Sequence, residues 1–80
     1  MRLDKFLKVS RIIKRRTVAN EACDAGRVIV NGKAARASYD VKVNDIIEIT
    51  FGAKNFKAQV ISVAETVKKE DAEGLYKIIE

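Results

Sequence analysis

Residues 16–32, Arg-Thr-Val-Ala-Asn-Glu-Ala-Cys-Asp-Ala-Gly-Arg-Val-Ile-Val-Asn-Gly, decide the fold. Thr17 is placed to cap a helix over Val18 to Ala25, because a hydroxyl ahead of the first turn accepts from an unpaired backbone N–H. Asn20 stands where a full capping box would carry Glu or Gln, so the cap is partial. Ala19, Ala22 and Cys23 form a small-residue stripe suited to close packing against another helix. Gly26 sits where a helix ends in left-handed backbone, a conformation that glycine adopts without a Cβ penalty. Arg27 to Val30 is then strand chemistry, and Asn31-Gly32 is the strongest short hairpin signal a sequence can give. Lys33 to Arg36 is the return strand.

Upstream, Leu3, Phe6 and Leu7 fall at i, i+3 and i+4, one apolar stripe of a short helix over Arg2 to Val9. Asp4 lies in its first turn, where the helix dipole favours a carboxylate. Arg2, Lys5 and Lys8 recur every three residues and line a face beside the stripe. Downstream, Val41 to Asp45 reads as a turn that enters a strand over Ile46 to Phe51, with Asn44 tolerant of left-handed backbone. Gly52 to Asn55 separates that strand from a partner over Phe56 to Val63. Residues 66–74 read as a short polar helix ending at Gly74, and Leu75 to Ile79 as an edge strand. The element order is α+β: two N-terminal helices packed on a small antiparallel sheet, with a short C-terminal helix and strand extension.

Eighty residues allow one domain, 1–80, with no second core. One Cys and no His exclude an internal disulfide, a four-ligand zinc site and every Ser-His or Cys-His nucleophile. No cofactor or metal is expected, and Cys23 reads as a small core residue. There is no long apolar run, and a charged start at Arg2, Asp4, Lys5 and Lys8 lacks the apolar stretch of a signal peptide. A cytoplasmic monomer that does not enter the membrane is the expectation.

The net charge of +5 is unevenly spread. Residues 1–36 carry ten basic and three acidic side chains, whereas residues 37–80 carry six and eight. A cationic half beside a near-neutral half points to a polyanionic partner, since Lys and Arg release counterions when they meet phosphate. Base-specific reading looks weak: Phe6, Phe51 and Phe56 lie in apolar patterns that favour the core, which leaves few stacking platforms.

The pattern Arg2-Leu3-Asp4-x-x-Leu7, then Arg16-x-x-Ala19, then Gly26-Arg27-Val28-x-Val30-Asn31-Gly32 resembles the S-four RNA-binding domain. The match spans about residues 2–50, leaving 51–80 as an extension. The resemblance implies two helices on a small sheet, with RNA bound across the helical face and the adjoining hairpin. One departure stands out: Lys14 and Arg15 precede Arg16, where many members carry Ser or Thr. The start MRLDKFLKVSRIIKRRT, the turn VKVND and the tail TVKKEDAEGLYKII are similar to the free-standing S-four proteins of ribosome-associated quality control in Gram-positive bacteria. That similarity implies contacts to large ribosomal subunit rRNA and P-site peptidyl-tRNA, and support of an RqcH-type factor that tails stalled chains with alanine. A heat-shock-type S-four protein that recycles stalled large subunits is the alternative. A pseudouridine synthase would need a further catalytic domain, for which the chain is too short.

On motif position, Arg2 and Arg16 are expected to hold RNA, because a guanidinium binds phosphate bidentately where Lys offers only a point charge. Lys14 and Arg15 would widen the phosphate footprint, Lys5, Lys8 and Arg11 would continue it along the first helix, and Lys33 would add a contact at the hairpin. Thr17, Gly26, Asn31 and Gly32 are assigned to caps and turns. Asp4 reads as a helix-terminus residue or as an orienting partner for a nearby Arg rather than as a ligand for RNA, which its charge repels.

Overall fold

The computed structural model describes residues 1–63 and 74–79. The expected helix over 66–74 falls, apart from Gly74, on residues outside this range. Helix α1 spans Leu3–Val9 and α2 spans Arg16–Asp24. The strands are β1 (Val28–Val30), β2 (Lys33–Ala34), β3 (Ile46–Phe51), β4 (Lys54–Val60) and β5 (Tyr76–Ile78). They form one antiparallel sheet in the order β2-β1-β3-β4-β5.

The apolar stripe of α1 becomes the centre of the core. Leu3, Phe6 and Leu7 are fully buried, against Val28, Val30, Ile47, Ile49 and Val60 of the sheet. Each such side chain contributes about 1.5–3 kcal/mol of burial free energy, so these few residues carry much of a small core. Ala19 and Cys23 bring α2 onto the same cluster. Register explains the choice of face: Ile47 pairs with Val30 and Ala58, and Ile49 with Val28 and Phe56, so alternate residues of three strands point toward the helices.

Both turns expected around glycine form. Asn31 (φ 53°) and Gly32 (φ 84°) both lie in left-handed backbone, the requirement of a type I′ hairpin, and Val30 pairs with Lys33 across them. Gly26 (φ 73°) closes α2: its N–H donates to the Cys23 carbonyl and the Arg27 N–H to that of Ala22, each at 3.0 Å. These two bonds are a Schellman motif, which satisfies carbonyls that the helix end leaves open. The β3–β4 turn is tighter than expected, with only Gly52 and Ala53 outside the ladder, because Lys54 and Asn55 pair with Phe51 and Thr50.

Two expectations need correction. Thr17 does not cap α2: the helix begins one residue before it, and Arg15 (φ −115°, ψ 130°) is the extended residue at the N-cap, without a side-chain cap. With the helix starting at Arg16, the Thr17 hydroxyl lies inside the first turn and not ahead of it. Phe51 is 45 % exposed and not a core residue. It lies on the same sheet face as Ile47 and Ile49 but at the last position of β3, beside the turn to β4.

The chain start is fastened to the segment after β2. Leu3 N–H donates to the Tyr39 carbonyl (2.8 Å), Asp4 N–H to that of Ala37 (3.2 Å) and Val41 N–H to that of Met1 (2.8 Å). Arg2 and Asp40 form a single antiparallel bridge. The first N–H groups of a helix have no partner within it, and here residues 37 and 39 supply two of them.

Candidate RNA interface

Asp4 is the residue around which the cationic face is built. Its side chain is 3 % exposed, yet it is a carboxylate on a seven-residue helix whose first turn opens toward α2. Arg2, the extended N-cap residue of α1, turns its guanidinium back so that Nε lies 3.2 Å from Asp4 Oδ1 and Nη2 lies 3.5 Å from Oδ2. Arg16, the first residue of α2, places Nε 3.3 Å from Oδ2. Asn20, one turn further along α2, donates Nδ2–H to Oδ2 at 3.3 Å, and the Lys5 backbone N–H donates to Oδ1 at 2.8 Å. Burial pushes the Asp4 carboxyl up, but hydrogen bonds from Asn20, Arg16, Arg2 and the Lys5 amide outweigh it and hold the group below the ordinary carboxylate value. The carboxylate therefore stays ionised and binds two guanidinium groups at once.

The arginines that share it are about half exposed, 51 % for Arg2 and 46 % for Arg16. Each brings Nε to Asp4, Arg2 adding Nη2, and about half of each side chain stays open to solvent. Thus the two Arg residues of the motif, fourteen positions apart, are brought to one place. Helix α2 starting at Arg16 is part of this arrangement, because it sets Arg16 and Asn20 on one face of one turn, both aimed at Asp4.

The other expected cations occupy a wider surface. Lys8 is exposed in the last turn of α1, and Lys14 and Arg15 are exposed on the segment between the helices. Lys5 is half-buried. Arg11 is exposed and holds φ 63°, the left-handed residue beyond the end of α1, where its N–H donates to the Lys8 carbonyl (3.0 Å). Lys33 is exposed too, but it lies on β2 at the sheet edge and is not drawn into the Asp4 cluster.

A second buried carboxylate shapes the hairpin side. Asp45, 8 % exposed, accepts from the Lys42 backbone N–H (2.9 Å), the Tyr39 hydroxyl (2.9 Å) and Asn31 Nδ2 (3.0 Å). Burial raises its pKa, and these three donors bring it below the ordinary value. Asn31 is therefore more than a turn former. Its Oδ1 also accepts from the Ile46 N–H at 2.9 Å, which ties the hairpin tip to the start of β3. The pattern Asn-Gly marks the turn but carries no sign of this long-range partner. Asn20 was equally silent in the sequence, although its spacing of four from Arg16 placed it on the right helix face.

Among the described residues no group of three or more His, Cys, Asp or Glu side chains is placed to hold a metal ion. Cys23, the one thiol, is buried, and burial with the nearby charges of Asp4 and Asp24 pushes its pKa up to about 11. Among the described residues no helix is long and apolar enough to cross a membrane.

Comparison with known proteins agrees with this construction. Residues 1–47 match the family model of the S4 domain. A protein of Streptococcus pneumoniae named RQC P-site tRNA stabilizing factor is 60 % identical over 79 residues, covering 99 % of this chain and 90 % of that one. The protein of the same name from Halalkalibacterium halodurans is 54 % identical over 78 residues, covering 98 % and 89 %. Among solved structures, the trimeric structure of Vibrio cholerae Heat Shock Protein 15 superposes with a TM-score of 0.91 at 26 % identity, over 99 % of this chain and 81 % of that one. The α+β architecture, the motif that links Arg2, Arg16 and Asn31-Gly32, and these likenesses lead to one assignment: the chain belongs to the S4 domain family.

Proposed function

We propose that this protein is a non-catalytic RNA-binding factor of ribosome-associated quality control. It binds the large ribosomal subunit that carries stranded peptidyl-tRNA, contacts rRNA and the P-site tRNA, and supports alanine tailing by an RqcH-type partner. It acts in the cytoplasm as a monomer. The observation that carries the reading is the pairing of Arg2 and Arg16 on the buried Asp4 carboxylate, which presents two half-exposed guanidinium groups side by side. A guanidinium fork meets phosphate bidentately, and two held together suit the backbone of folded RNA better than free bases. Lys8, Arg11, Lys14 and Arg15 extend the positive surface around them, with Lys5 beside α1 and Lys33 at the hairpin. The names of the Streptococcus and Halalkalibacterium relatives support the choice of tRNA and P site.

The experiment is co-sedimentation with large subunits bearing peptidyl-tRNA. Arg2→Ala and Arg16→Ala should each fold as the parent does and bind more weakly. Each should also reduce the slope of log affinity against log salt by about one, the signature of one lost phosphate contact. Unchanged co-sedimentation of both variants would remove the assignment. Rescue or recycling of stalled subunits under heat stress is a second reading, favoured by the Heat Shock Protein 15 likeness. Deletion of the gene decides between them: the first reading requires alanine tailing to be lost, and the second leaves it intact.

A further inference from the structure

We propose that Asn20 is a positioning residue for the RNA contact: through the Asp4 carboxylate it fixes the aim of Arg16 and Arg2 toward an RNA phosphodiester backbone. The inference rests on the RNA-binding reading above and adds to it a residue that does not itself touch RNA.

The argument begins with how little freedom Asp4 has. Its Oδ1 is held by the Lys5 backbone N–H at 2.8 Å and by Arg2 Nε at 3.2 Å. Its Oδ2 is held by Asn20 Nδ2 and Arg16 Nε, both at 3.3 Å, with Arg2 Nη2 more distant at 3.5 Å. The Lys5 contact is main-chain and cannot adjust. Asn20 is the one neutral side chain in the set, and the one donor to Oδ2 that is not a cation free to leave for phosphate. When RNA arrives and competes for the guanidinium groups, the Asn20 amide still holds the second oxygen. The carboxylate then keeps its orientation, and the two Nε edges keep their anchor.

The direction of that anchor matters. Arg16 stands with Nε 3.3 Å from Asp4 Oδ2 as an ion pair, and its half-exposed guanidinium stays open to a phosphate on the solvent side. Arg2 spends Nε and shares Nη2 with Asp4, which leaves Nη1 and one hydrogen of Nη2. The clamp is pre-organised, so less side-chain entropy is lost on binding than two free Arg side chains would lose. Without Asn20, Asp4 can rotate, and the guanidinium groups lose their common reference.

Asn20 is half-buried on α2, and Ala is the better helix former, so Asn20→Ala keeps the helix. The expected result is binding to large subunits bearing peptidyl-tRNA weaker by about tenfold, with a lower melting temperature from the lost donor to a buried carboxylate and the helical circular dichroism of the parent retained. Asn20→Asp should be worse, because a second carboxylate beside Asp4 draws the guanidinium groups inward and repels phosphate. Combining Asn20→Ala with Arg16→Ala isolates the mechanism: the double variant should bind better than the sum of the two single losses predicts, since the part of the Asn20 effect that runs through Arg16 is already gone while the part through Arg2 remains. Full additivity in that cycle, or unchanged binding by Asn20→Ala, would overturn the proposal. Failure of Arg16→Ala itself to weaken binding would instead remove the RNA-binding reading beneath it, so the two failures are told apart.

Discussion

Asn31 donates its side-chain amide to Asp45 at 3.0 Å, joining the tip of the β1–β2 hairpin to the turn before β3 across fourteen residues. The same side chain accepts from the Ile46 N–H at 2.9 Å, so one residue provides both the left-handed backbone and the tether. Asn31→Gly separates the two roles. Glycine keeps the type I′ turn and loses the tether, so stability should fall by about 1–2 kcal/mol, measured by urea denaturation. Full stability in Asn31→Gly would show that only the turn matters.

Asp4→Asn tests charge against geometry. The substitution removes one negative charge from the face proposed to meet RNA, and charge alone predicts tighter ribosome binding. Pinning of Arg2 and Arg16 predicts weaker binding, because an amide presents one acceptor where the carboxylate presents two. Co-sedimentation of a variant shown to be folded by circular dichroism reads the sign directly.

Stability should depend on pH at both ends of the range. Asp4 and Asp45 are held below their ordinary 3.8 in the fold, where hydrogen bonds outweigh burial. They bind protons more weakly folded than unfolded, so their contribution is complete above the ordinary carboxylate range and disappears as pH falls through the folded values. Tyr39 behaves in the opposite sense. Its hydrogen bond to Asp45, with burial and the nearby charges of Asp45 and Asp40, raises it above 10.0, so its contribution is present below pH 10 and is lost above it. Melting temperatures recorded from acid to alkaline pH should form a plateau with two falling limbs. Tyr39→Phe should flatten the alkaline limb.

Arg11 occupies left-handed backbone at φ 63°, a place where glycine is the usual residue. Arg11→Gly should raise stability by about 1 kcal/mol, or about 4–8 °C in a domain of this size. It should also weaken ribosome binding through loss of one cation. Opposite signs in the two measurements would mark Arg11 as kept for binding at the expense of stability. A rise in both would make it ordinary surface charge.

Local signals were read well because their physics is local. The apolar stripe Leu3-Phe6-Leu7 became the core, Asn31-Gly32 became the hairpin, and Ile46 to Phe51 became a strand with the expected bounds. The meeting of Arg2 and Arg16 was legible because each begins a helical part of the motif and Asp4 lies between them in type and place. Thr17 is not the cap: α2 starts at Arg16, whose ion pair with Asp4 reaches twelve residues back along the chain. Phe51 had the right alternation for the core, but alternation cannot say how open the last residue of a strand stays to solvent. Asn20 and Asp45 act through partners sixteen and fourteen residues distant, which no window of local pattern contains.

The bonds from Leu3 to Tyr39 and from Asp4 to Ala37 tie Arg2 and Asp4 to a part of the chain made only after β1 and β2. An emerging nascent chain that has produced both helices still lacks the support that sets the first of them. The seat of the Asp4 cluster is thus complete only once residues 37–39 have been made, so the chain's first residues are among the last of its N-terminal half to find their place.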